Sequence, residues 1–143
     1  MKAPIGVDSL IIAVDFDGTI VEDGFPDIGK PKLFAFDALK KLQEQGHRLI
    51  LWTYRYGNQL DEAVEFCRKR GIEFWAINCS FEGERYEDGT MSRKIHADIF
   101  IDDRNLGGFP GWGEVIQIIE NNIEFSLGKH GQEKKKKRGF FGL

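Results

Sequence analysis

The chain has 143 residues, 41% apolar and 13% aromatic, with 30% charged, two cysteines and a formal net charge of −3. That is one domain's length with apolar material enough for a core, and it excludes wholesale disorder and a collagen-like fibre. No apolar run exceeds Leu10–Val14, so no membrane span is expected.

The opening Met1–Gly6 lacks the apolar stretch of an export signal, and Cys67 and Cys79 do not form a CxxC pair. Both features fit a cytoplasmic protein with reduced thiols. Charge is unevenly spread. In residues 128–143, six basic side chains outnumber the single Glu133 by five charges, so residues 1–127 carry −8. The expectation is an acidic domain over 1–127 with a basic, disordered tail over 128–143. Such a globule is not built as a nucleic-acid surface.

In chain order, Leu10-Ile11-Ile12-Ala13-Val14 is a β-branched run of the kind buried on both faces of a sheet. A helix is predicted over Pro31–Gln45, with Leu33, Phe36, Leu39 and Leu42 at threefold spacing, Pro31 in its first turn and Gly46 as its C-cap. Leu49–Thr53 reads as the second strand. Asn58 caps a predicted helix to Arg70, closed by Gly71. Ile72–Ile77 and Ile99–Ile101 read as further strands, and Trp112–Asn122 as a last helix. Alternating strands and helices imply an α/β fold with a parallel sheet covered on both sides. Ile20–Lys30 and Cys79–Arg93 are too short for a second domain and read as loops over the sheet's rim. No cap domain fits.

Polar residues interrupt this pattern at strand ends: Asp15 and Asp17 with Gly18-Thr19, then Thr53-Tyr54-Arg55, then Asp102-Asp103-Arg104. In an open parallel sheet these ends share one edge, where the reactive crevice lies. Carboxylates crowded there resist ionisation unless a cation sits among them. An all-oxygen donor set without a His or Cys cluster argues for Mg²⁺ rather than zinc; the bland alternative is an acidic rim. Gly18 permits a turn and a close backbone approach to a ligand. One carboxylate can attack phosphorus while another protonates the leaving oxygen, and Thr53 and Lys94 can hold the phosphoryl group. Arg55 is a candidate substrate contact because a guanidinium suits phosphate, with a surface ion pair as the alternative. Thr19 is expected to support the loop after Asp17, and Arg104 to balance local charge. Trp52 and Trp75 are expected in the core, while Trp112 either lines the crevice or packs. His47, His96 and His130 lack partners at ligand spacing and read as structural.

Asp15-Phe16-Asp17-Gly18-Thr19 resembles the DxDGT signature of the haloacid dehalogenase-like (HAD) superfamily. Thr53, Lys94 and the Asp102-Asp103 pair resemble its second, third and fourth motifs, in the same order. The resemblance implies a three-layer Rossmann-like fold, and the missing cap resembles the capless subgroup. It implies Mg²⁺-dependent phosphoryl transfer through an aspartyl-phosphate. Asp15 would be nucleophile and metal ligand, and Asp17 general acid/base and a ligand through its backbone carbonyl. Asp103 would bind the metal directly, with Asp102 one step further out. An acid at position 17 favours a phosphatase over a dehalogenase.

The sequence thus reads as a capless HAD-like phosphatase acting on a phosphorylated small molecule or an end-presented phosphate. Nucleotides and nucleic-acid ends are among its open substrates, and a neighbouring subunit could serve as lid. Two other classes stay open: a phosphate- and metal-binding module without turnover, and an interaction module using the tail. For the tail, a solvated end comes first, nucleic-acid or anionic-surface attraction second, and a docking peptide ending in Phe140-Phe141 third.

Overall fold

The computed structural model describes residues 9–121. The tail expected over 128–143 lies outside them. Strand β1 (Ile11–Val14) leads to helix α1 (Ala35–Glu44), β2 (Arg48–Leu51) and helix α2 (Gly57–Arg68). Strands β3 (Ala76–Ile77) and β4 (Ile99–Ile101) follow, then helix α3 over 112–121. The four strands are all parallel, in the order β3-β2-β1-β4. β1 is central, with Ile12 paired to Leu49 on one side and to Ile99 on the other. The α/β, Rossmann-like architecture read from the sequence is the one observed. Among the described residues, no helix is long and apolar enough to cross a membrane.

The two faces of the sheet are covered differently. Ile12, Val14, Leu49, Leu51 and Ile101 form one buried cluster with Ala35, Leu39 and Leu42 of α1, Ala63 and Cys67 of α2, and Trp112, Val115 and Ile119 of α3. Ala13, Ile50 and Ala76 face the other way, under Ile95 with Trp75, Cys79, Ala97 and Phe100. The connections β1→β2→β3 step in one direction along the sheet, whereas β3→β4 returns past β1. With right-handed crossovers, a return in the opposite direction lies on the opposite face. The second outer layer is therefore the largely irregular segment 78–98 rather than helices.

Element boundaries differ from the sequence reading in instructive ways. α1 starts at Ala35, four residues past Pro31, because Pro31 bridges to Val21 and the Lys32 N–H donates to the Ile20 carbonyl at 2.8 Å. Leu33 is left exposed, and the buried stripe is Ala35, Ala38, Leu39 and Leu42. Gly46, with φ +93°, closes the helix in the left-handed region as expected. α2 begins at Gly57 after Tyr56, whose side chain makes no capping bond, so Asn58 does not cap it. β3 is two residues long rather than six. Its run splits instead, with Ile72 packing beneath the helices and Trp75 on the opposite face. His47 is buried as a structural residue, its Nδ1 accepting from the Leu10 N–H at 3.0 Å. Burial lowers its pKa below the usual 6.5. Burial likewise pushes the Cys67 thiol up to about 12, leaving it an unreactive core residue.

Candidate functional site

All four strand ends deliver polar residues to one edge: Asp15 after β1, Thr53 after β2, Asn78 after β3, and Asp102-Asp103 after β4. Because β1 is paired to β4, their exits are adjacent, and the Asp15 N–H donates to the Ile101 carbonyl at 2.9 Å. Asp15, Asp102 and Asp103, all half-buried, present carboxylate oxygens within 4.8 Å of one another. The Asp15 carboxyl is pushed up from 3.8 to about 7. Burial is the main cause, followed by the charge of Asp102 and a hydrogen bond with Asp103, while the Thr19 hydroxyl pulls it partly back. Crowded oxygen donors that resist ionising together form a site in which a hard cation would relieve the repulsion.

Thr19 organises this cluster rather than the loop that follows. Its side chain is fully buried. Its Oγ1 accepts the Asp103 backbone N–H at 3.0 Å. Its single hydroxyl proton is shared between Asp15 Oδ2 at 3.0 Å and Asp103 Oδ1 at 3.2 Å. The Thr19 carbonyl accepts the indole N–H of Trp112 at 2.8 Å. Of the two expectations for Trp112, packing holds: it is 2% exposed, with Phe109 edge-on at 5.6 Å. Gly18, at φ +88°, lies directly against the cluster. A Cβ there would fall 2.7 Å from Asp103 Cγ, so only glycine fits.

Asp17 faces elsewhere. Its two oxygens accept from Arg55 Nε at 2.7 Å and Nη2 at 2.8 Å, a bidentate pair. Arg55 spends its remaining donors on the carbonyls of Pro26 (3.2 Å), Gln59 (3.3 Å) and Asp27 (2.7 Å). Its side chain is 0% exposed. The expectation that Arg55 contacts substrate at the pocket edge is corrected here, since all five of its N–H groups are used within the protein. It instead ties β1's exit to the 22–30 loop and to α2. The Asp17 carboxylate therefore stands apart from the three-aspartate cluster. Asp102, expected one step away, is one of the three.

Thr53 is half-buried at the strand end, and its Oγ1 accepts the Arg55 N–H at 3.1 Å. Its own N–H donates to Asn78 Oδ1 at 2.8 Å. Asn78 is a site residue the sequence reading missed. The available signal was the one used for the other strands, a polar side chain directly after Ala76-Ile77. Its φ of +56° is one that asparagine tolerates. Lys94 is exposed, with its ammonium 5.7 Å from the centre of the Phe100 ring. The structure brings Asp15, Asp102, Asp103, Thr19 and Gly18 together. It holds Asp17 with Arg55 and Thr53 with Asn78, and sets Lys94 outside these groups.

The comparisons with known proteins bear on the fold. A solved structure of a conserved protein coded by a locus from Bacteroides thetaiotaomicron is 51% identical, with a TM-score of 0.74. The match covers 82% of this chain and 95% of that one. The chain belongs to the same family as that protein. No protein-family model and no curated protein matches it. The likeness agrees with the fold and names no activity.

Proposed function

We propose that the protein is a Mg²⁺-dependent phosphatase of the HAD-like, capless type, hydrolysing a phosphate monoester through a phosphorylated Asp15. The observation that carries this reading is the meeting of Asp15, Asp102 and Asp103, with oxygens within 4.8 Å, at the carboxyl edge of a parallel sheet. The DxDGT resemblance supplies the roles. The oxygen-only donor set fits a hard divalent ion, which Asp15, Asp102 and Asp103 would hold. Bound there, Mg²⁺ would neutralise charge on the phosphoryl oxygens.

The residues' own parts follow from chemistry. An Asp15 oxygen attacks phosphorus as the bond to the leaving oxygen breaks, giving an acyl phosphate and an alkoxide. The alkoxide takes a proton from Asp17 or from water and leaves as the alcohol. Water then attacks the acyl phosphate, giving up a proton to Asp17 or to solvent, and phosphate departs as Asp15 returns to a carboxylate. Thr19 and the Asp103 backbone hold the nucleophile's orientation. Thr53, just past the end of the neighbouring strand β2, would offer its hydroxyl to the phosphoryl oxygens, and Lys94 would have to swing in to add charge. Asp17 acts as acid and base only when its carboxyl turns from Arg55 toward the leaving oxygen. That Asp17–Arg55 pair is the observation favouring a second reading, a module that binds cation and phosphate without turnover.

One assay separates the two. Purified protein should release phosphate from p-nitrophenyl phosphate with Mg²⁺ and stop with excess EDTA. Asp15→Asn should lower the rate by about a thousandfold or more while the protein stays folded. Binding of phosphate with no release in any condition would leave the second reading.

A further inference from the structure

Six aromatic side chains are exposed among the described residues; one of them, Phe25, lies against Arg55, and two more, Tyr54 and Tyr56, flank it in the chain. The guanidinium carbon of Arg55 lies 5.0 Å from the centre of the Phe16 ring and 5.1 Å from that of Phe25. Phe16 is fully buried, whereas Phe25 is 52% exposed, so the stack of ring, guanidinium and ring opens to solvent on its Phe25 side. Tyr54 and Tyr56, the chain neighbours of Arg55, are 95% and 77% exposed. The turn causes this. The Arg55 N–H bonds back to Thr53 Oγ1, Thr53 and Arg55 point inward, and the alternating residues 54 and 56 are thrown outward. Among the described residues, neither phenol has a hydrogen-bond partner.

Rings placed this way add nothing to the core. Tyr54 and Tyr56 follow β2, whose exit shares the sheet's carboxyl edge with that of β1 and Asp15, and Phe25 joins them through Arg55 and its pair with Asp17. Exposed aromatic faces with water-tolerant phenol tips suit a flat, polar ring better than an alkyl chain. We propose that the substrate is a nucleotide, its base stacked on the rim of Tyr54, Tyr56 and Phe25 while its phosphate enters the Asp15 pocket. Residues 9–121 carry seven more acidic than basic side chains. A single nucleotide is therefore accepted more readily than a long polyanionic strand. For the phosphate end the proposal rests on the phosphatase reading; the stacking is measurable without turnover.

The test is calorimetric titration of full-length Asp15→Asn protein in Mg²⁺, which prevents consumption of the ligand. Adenosine 5′-monophosphate is compared with ribose 5-phosphate, which keeps the sugar and phosphate and lacks the base. The nucleotide should bind about tenfold more tightly. Adding Tyr54→Ala and Tyr56→Ala should bring its affinity down to that of ribose 5-phosphate. Equal affinities, a difference that survives both substitutions, or no binding of either compound overturns the proposal. A 5′-phosphorylated oligoadenylate should bind more weakly than the mononucleotide. Tighter binding would keep the stacked base and overturn the preference for a single nucleotide. Turnover of p-nitrophenyl phosphate by the native protein is read separately. If it is absent while the tyrosine-dependent preference stands, the phosphatase reading fails and the nucleotide site remains.

Discussion

Asp15 and Asp17 leave the same strand two residues apart and meet opposite surroundings. Asp15 faces two further carboxylates and titrates at about 7. Asp17 faces a guanidinium with no solvent exposure and is bound through both oxygens. One group is left wanting positive charge; the other already has it from within the chain. The difference teaches where an external cation has work to do, and it arises because β4 brings acids to one side of the exit while β2 brings Arg55 to the other.

The sharpest way to break this comparison is to neutralise each pole. Arg55→Met leaves the Asp17 carboxylate largely buried without its partner, along with three orphaned carbonyls. It should cost about 3–5 kcal/mol in urea unfolding. Asp15→Asn should do the reverse, holding or raising the melting temperature of the metal-free protein by removing repulsion, even as it removes turnover. Equal destabilisation by both changes would mean that the two acids are not distinct in kind.

Smaller changes sharpen it. Gly18→Ala drives a methyl into Asp103 and places a side chain at φ +88°. It should cost about 1–2 kcal/mol in thermal unfolding and weaken the cation-induced rise in melting temperature. Thr19→Val keeps the shape and removes the oxygen that accepts the Asp103 N–H. It should cost about 1–3 kcal/mol, seen in the same melts.

The pH dependence of stability sharpens the comparison in another way. Asp15 has a folded pKa of about 7 against an ordinary 3.8. Its contribution to stability is therefore full below about pH 4 and is lost as pH rises through 7. His47, lowered from 6.5 by burial, works the other way, losing stability as pH falls below that value. Subtracting the melting curve of Asp15→Asn isolates the first contribution. Magnesium should then raise the melting temperature by a few degrees more at pH 8 than at pH 5, and no pH difference would count against cation binding at this carboxyl.

Much of this was legible from residues close in sequence. Strand cores such as Ile11–Val14, and carboxylates placed directly after them, declare the sheet and its acidic edge, because the middle of a buried parallel strand tolerates no charge. What escaped depends on groups far apart in the chain. Arg55 reads locally as a pocket-edge cation. Its burial follows from the carbonyls of Pro26, Asp27 and Gln59, which no local pattern announces. Pro31 reads as a helix start, yet its pairing with Val21 delays the helix. Thr19 reads as a loop hydroxyl until Asp103, 84 residues later, is folded beside it.

The indole of Trp112, hydrogen-bonded at 2.8 Å to the carbonyl of Thr19, lies one residue's width from the Asp15–Asp103 cluster. Trp52 and Trp75 belong to the opposite side of the sheet. With those two replaced by phenylalanine, the ultraviolet emission of the remaining indole becomes a built-in optical gauge of the acidic pocket, reading its occupancy without a dye or a label.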